Sequence, residues 1–489
     1  MTDFTQRINK LFRSNNLLSQ SIRGGSVLAV GSAIENLLRL IRNIILVRLL
    51  APDTFGLMAT VIASVSVIDA LTQVGLRQST IQNKSGRDYG FLNSVWWISS
   101  VRGLLLYILA FFASHYISAY FGKPNLDYIL RVGFLVILLN GLISPRVHIL
   151  EKELRFKQWV IVMQGAGVAG VTVAIISAFF LRNVWALLLG YIAEALLRVI
   201  MSFVLCPFKP NIRFDKKYSI EIMKFSQKLF GLPILMMLYA QTDIFVIGKV
   251  LSIQTLGFYV LVRSLTEMPN DFFSKIVLPI ILPVFSSIQD DRDKLRNSFF
   301  SATQIIGILI IPFMAFTVLF SESILKIVYG EEYSRLAVPF CILIVTTIIL
   351  MFSSIFVSMY FSIGLPNIHR TASIIRTIVF LILIYPATKI FGLNGAAFTA
   401  LISILFLIFI QIICAHRVIN FSIYDYLNNY IRGIKVSLFI IFPGIFLNIF
   451  VQYRGFGFML IGIILCLIAW GYGILKMFLF DHDPVIQES

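Results

Sequence analysis

Long apolar runs alternate with short polar stretches along almost the whole chain, and each run has the length of a membrane-spanning helix. A bilayer core about 30 Å thick is crossed by a helix of about 20 apolar residues. By this criterion we predict fourteen spanning helices. They cover residues 24–46, 54–76, 92–114, 126–147, 158–181, 184–206, 225–248, 255–285, 298–320, 336–362, 368–388, 393–415, 433–452 and 455–479. The eighth run contains Pro269, Pro279 and Pro283, which predict a kink or an extension beyond the bilayer.

The composition agrees with an all-α integral membrane protein. The chain has 489 residues, of which 58% are hydrophobic and 13% are charged, whereas a soluble domain carries about a quarter charged residues. The first 23 residues include basic side chains but no apolar core, so we do not expect a secretory signal peptide. The four cysteines and five histidines show no metal-ligand spacing, so we expect neither a disulfide nor a metal site.

The net charge of +17 is explained by membrane topology without a nucleic-acid partner. Most lysines and arginines fall in segments that become cytoplasmic when the N-terminus is placed inside, as the positive-inside rule requires. We therefore predict that both termini are cytoplasmic. The richest basic segment, residues 207–228, follows predicted helix 6. Anionic membrane lipids are its expected partners.

One short segment between two apolar runs occurs twice in similar form, and we call each copy a corner. Residues 47–60 read VRLLAPDTFGLMAT, and residues 248–261 read GKVLSIQTLGFYVL. Three positions are identical at an offset of 201 residues: Leu50/Leu251, Thr54/Thr255 and Gly56/Gly257. Each corner lies between the first and second helix of a six-helix half, which predicts an internal repeat. Chance similarity between short apolar corners is the alternative.

The repeat predicts two lobes of six helices. Because six is an even number, both copies enter the membrane from the same side, as a parallel pseudo-repeat does. We predict the following order: an N-terminal lobe at 1–206, a basic cytoplasmic linker at 207–224, a C-terminal lobe at 225–415, and two additional helices with a short cytoplasmic tail at 416–489.

Residues 21–82, which include the first corner, resemble the opening of bacterial polysaccharide flippases of the Wzx type. These belong to the polysaccharide transporter family of the MOP superfamily and are related to the lipid II flippase and the MATE antiporters. The segment ILEKELRFKQW at 149–159 is similar to the one before their fifth helix. The resemblance covers about residues 20–415. It implies a MATE/MOP-like fold and a location in the bacterial inner (plasma) membrane.

Charged residues inside the predicted helices are the candidate site. Each costs about 2.5–3.5 kcal/mol at a helix centre, so such residues tend to be paired and functional. Predicted helix 1 carries Glu35, Arg39 and Arg42 on one face, and predicted helix 8 carries Arg263, Glu267, Asp271 and Lys275 at intervals of four. Other charged positions are Asp69 in helix 2, Asp243 in helix 7, the pair Glu194 and Arg198 in helix 6, and the single charges Arg102, Arg131 and Arg376.

The resemblance implies that helices 1, 2, 7 and 8 line a central cleft. There Arg39, Arg42 and Arg263, with Glu35 and Lys275, would bind a diphosphate or form a gate, because guanidinium groups bind phosphate oxygens bidentately. The alternative is structural. Four pairs could close within their helices: Glu35–Arg39, Glu194–Arg198, Arg263–Glu267 and Asp271–Lys275. For Glu194–Arg198 we favour that reading. No cofactor is expected, but coupling to H⁺ or Na⁺ would use Asp69, Asp243, Glu267 or Asp271.

These observations favour a transporter over an enzyme. We predict a flippase for polyprenyl-diphosphate-linked oligosaccharide that works by alternating access in cell-surface polysaccharide biosynthesis. It would act either alone or beside a polysaccharide polymerase and assembly machinery. A MATE-like, cation-coupled drug antiporter is the alternative with the same fold. A membrane glycan polymerase or glycosyltransferase is a further alternative, against which the short outside loops argue. The chain has no GxxxxGK[ST] motif for an ATP-driven pump.

Overall fold

The computed structural model describes residues 17–71, 75–212, 215–229, 232–450, 457, 460–468 and 471–472. Every regular element within these ranges is a helix, as the apolar runs predict. The chain forms two compact units, Met1–Leu261 and Val262–Ser489. The division falls inside the helix Ile253–Ile276. The predicted lobe, linker and tail boundaries stay a prediction.

The first unit consists mainly of long helices joined by short turns. Its helices are α1 Leu17–Leu49, α2 Pro52–Leu71, α3 Leu76–Gln82, α4 Tyr89–Phe121, α5 Leu126–Gly133, α6 Leu135–Gly141, α7 Val147–Lys152, α8 Phe156–Met163, α9 Gly165–Leu181, α10 Val184–Leu205, α11 Lys216–Leu229 and α12 Leu232–Val250, followed by the start of α13, Ile253–Ile276. A 3₁₀ turn at Lys84–Arg87 joins α3 to α4.

The helices α9 and α10 pack backbone against backbone. A Cβ added at Gly190 would lie 2.6 Å from the Cβ of Ala174 and 2.7 Å from the carbonyl oxygen of Gly170. No side chain larger than hydrogen fits there. Small residues at such crossings let membrane helices approach closely. This contact joins α9 to α10 within the first unit.

The second unit has a large aromatic core. Its helices are the rest of α13, α14 Leu278–Ser287, α15 Arg292–Leu319, α16 Ser321–Val328, α17 Ala337–Ser362, α18 Pro366–Ile419, α19 Ile423–Asn428 and α20 Ile431–Phe450, with a 3₁₀ turn at Glu331–Leu336. The fully buried ring of Phe299 lies 4.9 Å from that of Phe356 and 6.1 Å from that of Tyr426, measured between centroids. These rings join α15, α17 and α19 into one core.

The predicted helices agree with the observed ones in place, but several are divided. The run 126–147 is split into α5 and α6, and the run 158–181 is split into α8 and α9. An apolar run signals burial, not continuity of one helix. Of the two alternatives for predicted helix 8, the structure shows the kink, because α13 and α14 meet at an angle of 41°.

The number fourteen is not established by the structure. Among the described residues, eight helices are long and apolar enough to cross a membrane, or nine if the bent pair α13 and α14 is one span. Predicted helices 11 and 12 lie within α18, where Gly392 (φ 60°, ψ −139°) breaks the helical geometry. Most of the last predicted run, 455–479, lies outside the described residues.

The basic segment after α10 is docked on the first unit. Asn93 is 2% exposed and exchanges two hydrogen bonds of 2.8 Å with the backbone of Asn211. The indole N–H of Trp97 donates to the same carbonyl oxygen. In α11, Ile222 and Tyr218 pack in a cluster with Phe91. These contacts hold part of the predicted linker against α4.

Candidate functional site

The charged face of α1 forms as its spacing predicts. Arg39 donates from Nη2 to Oε1 of Glu35 at 2.7 Å, and Arg42 donates to Oδ1 of Asn43 at 3.2 Å. The Arg39 side chain is 50% exposed and that of Glu35 is 19% exposed. Half of the Arg39 side chain thus stays open to a ligand beside its pair with Glu35.

A pocket of about 210 Å³ lies beside this face. Its lining is mostly apolar and comes from α1, α8, α9 and α10. The polar groups that it brings together are Glu35, Arg39, Arg42, Gln164 and Glu194. An apolar wall beside two guanidinium groups suits a molecule with an anionic head and a hydrocarbon tail.

Gln164 is a pocket residue that the sequence reasoning missed. It lies at the break between α8 and α9, and its Nε2 donates to Ser32 Oγ at 3.0 Å. Its Oε1 is buried and has no hydrogen-bond partner among the described residues. An unsatisfied buried acceptor is costly, and a hydroxyl group of a ligand could satisfy it. The signal that could have indicated this residue in the sequence is a glutamine inside an otherwise apolar run.

Asp69 forms a salt bridge with Arg102, the single charge of predicted helix 3. Arg102 donates from Nη2 to Oδ1 of Asp69 at 2.7 Å and to the Asp69 carbonyl oxygen at the same distance. The two residues come from different helices, α4 and α2, so spacing along one helix does not indicate this pair. Arg131 is not a single charge in its predicted helix, because Asp127 lies four residues earlier and pairs with it at 2.8 Å.

Asp243 has a different environment. It is 4% exposed. The hydroxyl group of Tyr259 donates to its Oδ2 at 2.9 Å, and the backbone N–H of Ile244 donates to its Oδ1. The hydroxyl comes from α13 and reaches across to α12. These two hydrogen bonds join the Asp243 carboxylate to the backbone of its own helix and to the start of α13 within the first unit.

The charged stripe of α13 lies in the second unit. Arg263 donates from Nε to Oε1 of Glu267 at 2.8 Å. The structure thus contains three of the four predicted pairs within helices: Glu35–Arg39, Glu194–Arg198 and Arg263–Glu267. In the described part of the chain, Asp271 and Lys275 do not form the fourth pair. Both lie partly buried on the same face of α13.

A second cavity of the first unit, of about 150 Å³, lies where the ends of two candidate spans meet α3 and α7. Its lining includes Trp96, Trp159, His148 and the ion pair between Arg77 and Glu151. Burial lowers the pKa of His148 to about 4, and the nearby charge of Arg77 adds to this effect. The imidazole is therefore neutral near pH 7.

Comparison with known proteins places the chain among polysaccharide biosynthesis proteins. A family model described as "Polysaccharide biosynthesis protein" matches residues 45–338. The lipopolysaccharide biosynthesis protein WzxC of Escherichia coli (strain K12) is 23% identical over 66% of this chain and 65% of its own length. The succinoglycan biosynthesis transport protein ExoT of Rhizobium meliloti (strain 1021) is 21% identical over 59% of this chain and 58% of its own. Each match spans less than two thirds of that relative.

Solved structures establish the fold. The lipid II flippase MurJ in an inward closed conformation superposes with a TM-score of 0.76 at 16% identity, covering 92% of this chain and 98% of that one. An inward-facing MATE family multidrug resistance transporter of the MOP superfamily gives 0.58 at 14% identity, covering 80% and 98%. The predicted MATE/MOP-like, multi-pass membrane architecture is confirmed.

Proposed function

The chain belongs to the polysaccharide biosynthesis protein family, and from that premise we propose that it is a flippase for polyprenyl-diphosphate-linked oligosaccharide. It carries this lipid across the bacterial inner membrane by alternating access and is a transporter, not an enzyme. The names of its relatives support this assignment, since one is a succinoglycan biosynthesis transport protein. The fold it shares with a lipid II flippase is compatible with a cargo of the same chemical class.

The pocket beside α1 is the observation that carries the proposal. Arg39 and Arg42 supply cationic, bidentate donors, while Ile34, Leu38 and Val168 supply an apolar wall. A diphosphate joined to a prenyl chain needs both surfaces next to each other. The buried acceptor of Gln164 can bind a sugar hydroxyl. Arg263 and Lys275 of the second unit are proposed as further binding or gating groups.

The direction of transport follows from the proposed topology. With both termini in the cytoplasm, the basic segment 207–228 lies on the cytoplasmic leaflet, where anionic lipids attract lysine and arginine. The cargo enters from that leaflet and leaves on the outer one, where a polysaccharide polymerase or assembly machinery would receive it.

Ion coupling, if the protein transports uphill, is proposed to use one of four carboxylates: Asp69, Asp243, Glu267 or Asp271. Asp69 and Glu267 are held by the guanidinium groups of Arg102 and Arg263. Asp243 is 4% exposed and accepts hydrogen bonds from Tyr259 and from the backbone N–H of Ile244. Its burial makes it the candidate to test first.

The proposal is tested in liposomes that contain the purified protein and a fluorescent polyprenyl-diphosphate-linked oligosaccharide. We expect Arg39→Ala and Arg42→Ala to lose both transport and binding of the diphosphate lipid. Arg48→Ala is the matched control, because Arg48 lies exposed in the last turn of the same helix, outside the pocket. It should keep both activities.

Other outcomes separate the alternatives. If transport is lost while binding stays at the parent level, the arginines form a gate. If the parent protein moves no such lipid but exchanges an organic cation for H⁺ or Na⁺, the protein is a drug antiporter. Elongation of the glycan by the purified protein would establish a polymerase.

A further inference from the structure

The two copies of the repeated corner touch each other in the first unit. A Cβ added at Gly56 would lie 1.9 Å from the carbonyl oxygen of Ile253, and a Cβ added at Gly257 would lie 1.7 Å from that of Pro52. The offset of 201 residues that pairs Gly56 with Gly257 also pairs Pro52 with Ile253. The contact is therefore reciprocal: each corner presents its glycine to the same carbonyl group of the other corner.

Close approach is the reason for glycine at both positions. Both residues lie in the first turns of helices, α2 and α13, where alanine would stabilise the helix more than glycine does. Neither glycine has a positive φ, so conformational freedom does not explain its presence. Backbone meets backbone at this place, and no side chain can fit without moving the corners apart.

A large cavity lies beside this contact. A cavity of about 960 Å³ is lined by both corners and by the turn between α4 and α5. Polar and charged residues such as Asp53, Lys123 and Gln254 line it. The predicted topology puts this side of the protein outside. Thr54, beside the contact, is only 6% exposed.

We propose that Gly56 and Gly257 form the seal of an outer gate, which is closed in this structure. This inference rests on the proposed function, because alternating access requires the outer side to open. A side chain at either position would hold the two corners apart and favour the open state. The repeat thus supplies both halves of the seal from one short sequence pattern.

The test measures access to a cysteine placed in the seal. In a chain whose four natural cysteines are replaced by serine, Thr54→Cys is labelled from outside with a membrane-impermeant maleimide. We expect Gly56→Ala and Gly257→Ala each to accelerate this labelling by at least about fivefold, because overpacking shifts the equilibrium toward the open state. The double variant should gain less than the product of the two effects, since both act on one contact.

Two controls distinguish opening of the gate from a loss of packing that leaves the gate closed. Gly190→Ala disturbs an equally tight contact between α9 and α10, so it should lower the thermal stability and leave the labelling rate of Thr54→Cys unchanged. Lys123→Cys lies exposed on the same side and should react equally fast in every background. If Gly56→Ala and Gly257→Ala lower stability without changing the rate at Thr54→Cys, the gate is overturned.

A second measurement avoids the alanine variants. A bifunctional thiol reagent should link Asp53→Cys to Gln254→Cys, both exposed in the cavity, and transport should stop until the link is cleaved. Continued transport by the linked protein contradicts the gate. If the parent protein moves no lipid-linked oligosaccharide but the glycine variants still accelerate labelling, the gate stands and the proposed cargo is wrong.

Discussion

Asp69 and Asp243 have the same description in the sequence, an aspartate within an apolar run, yet the structure gives them opposite environments. Asp69 is partly exposed and receives the guanidinium group of Arg102. Asp243 is buried and receives the hydroxyl group of Tyr259. A buried charge costs more free energy than an exposed one, so the comparison predicts different roles for the two residues.

The largest expected effect is the loss of ion dependence in Asp243→Asn. The amide keeps the shape of the side chain but cannot bind a proton or Na⁺ in the same way. We expect transport driven by an imposed H⁺ or Na⁺ gradient to lose its response to that gradient in proteoliposomes. Asp69→Asn is the matched variant and should keep the response. Equal losses in the two variants would show that the difference in burial has no functional meaning.

The second effect concerns His148, which is buried close to the positive charge of Arg77. Its folded pKa of about 4 lies below the unfolded value of 6.5, so the unfolded chain binds the proton first and stability is lost as the pH falls from about 6.5 to about 4. The full loss amounts to about 3 kcal/mol. Thermal unfolding in detergent should show a weaker dependence on pH in this window for His148→Gln than for the parent. Identical dependences would contradict the buried, neutral histidine.

The smallest effect concerns the free energy of unfolding after Asp69 loses its salt-bridge partner. Removing the guanidinium group in Arg102→Met should lower the free energy of unfolding by about 1–2 kcal/mol, because Asp69 is partly solvated and the loss is screened. Asp69→Asn introduced into Arg102→Met should recover part of the loss. The four unfolding midpoints of this double-mutant cycle give the coupling between the two residues. Additive losses would indicate that the salt bridge contributes nothing.

Much of the fold could be predicted because it depends on local pattern. The length of an apolar run predicts whether it crosses the bilayer, and the charges beside it predict its orientation. Neither depends on tertiary contacts. Spacing alone also predicted the ion pairs Glu35–Arg39, Glu194–Arg198 and Arg263–Glu267, because residues four apart are neighbours on any helix. The breaks at Gln164 and near Phe134 were missed, since an apolar run carries no signal for the end of a helix inside it.

The candidate site was only half predictable for the same reason. The sequence placed Glu35, Arg39 and Arg42 on one face of a helix, and the structure adds the pocket beside them and the buried acceptor of Gln164. Gln164 lies more than a hundred residues from Arg42 in the chain. Helical periodicity relates residues only a few positions apart, so it does not predict that Gln164 lies beside Arg42.

By itself, then, the sequence determined the membrane class, the helical runs, the twice-written corner and the pairs within helices, because each depends on composition or short spacing. Only the tertiary structure decided the partners of Asp69 and Asp243, which lie 33 and 16 residues away. It also decided that the two glycines of the repeated corner face each other's carbonyl groups. Such contacts depend on how helices pack, and packing brings together residues whose separation along the chain carries no information about their distance in space.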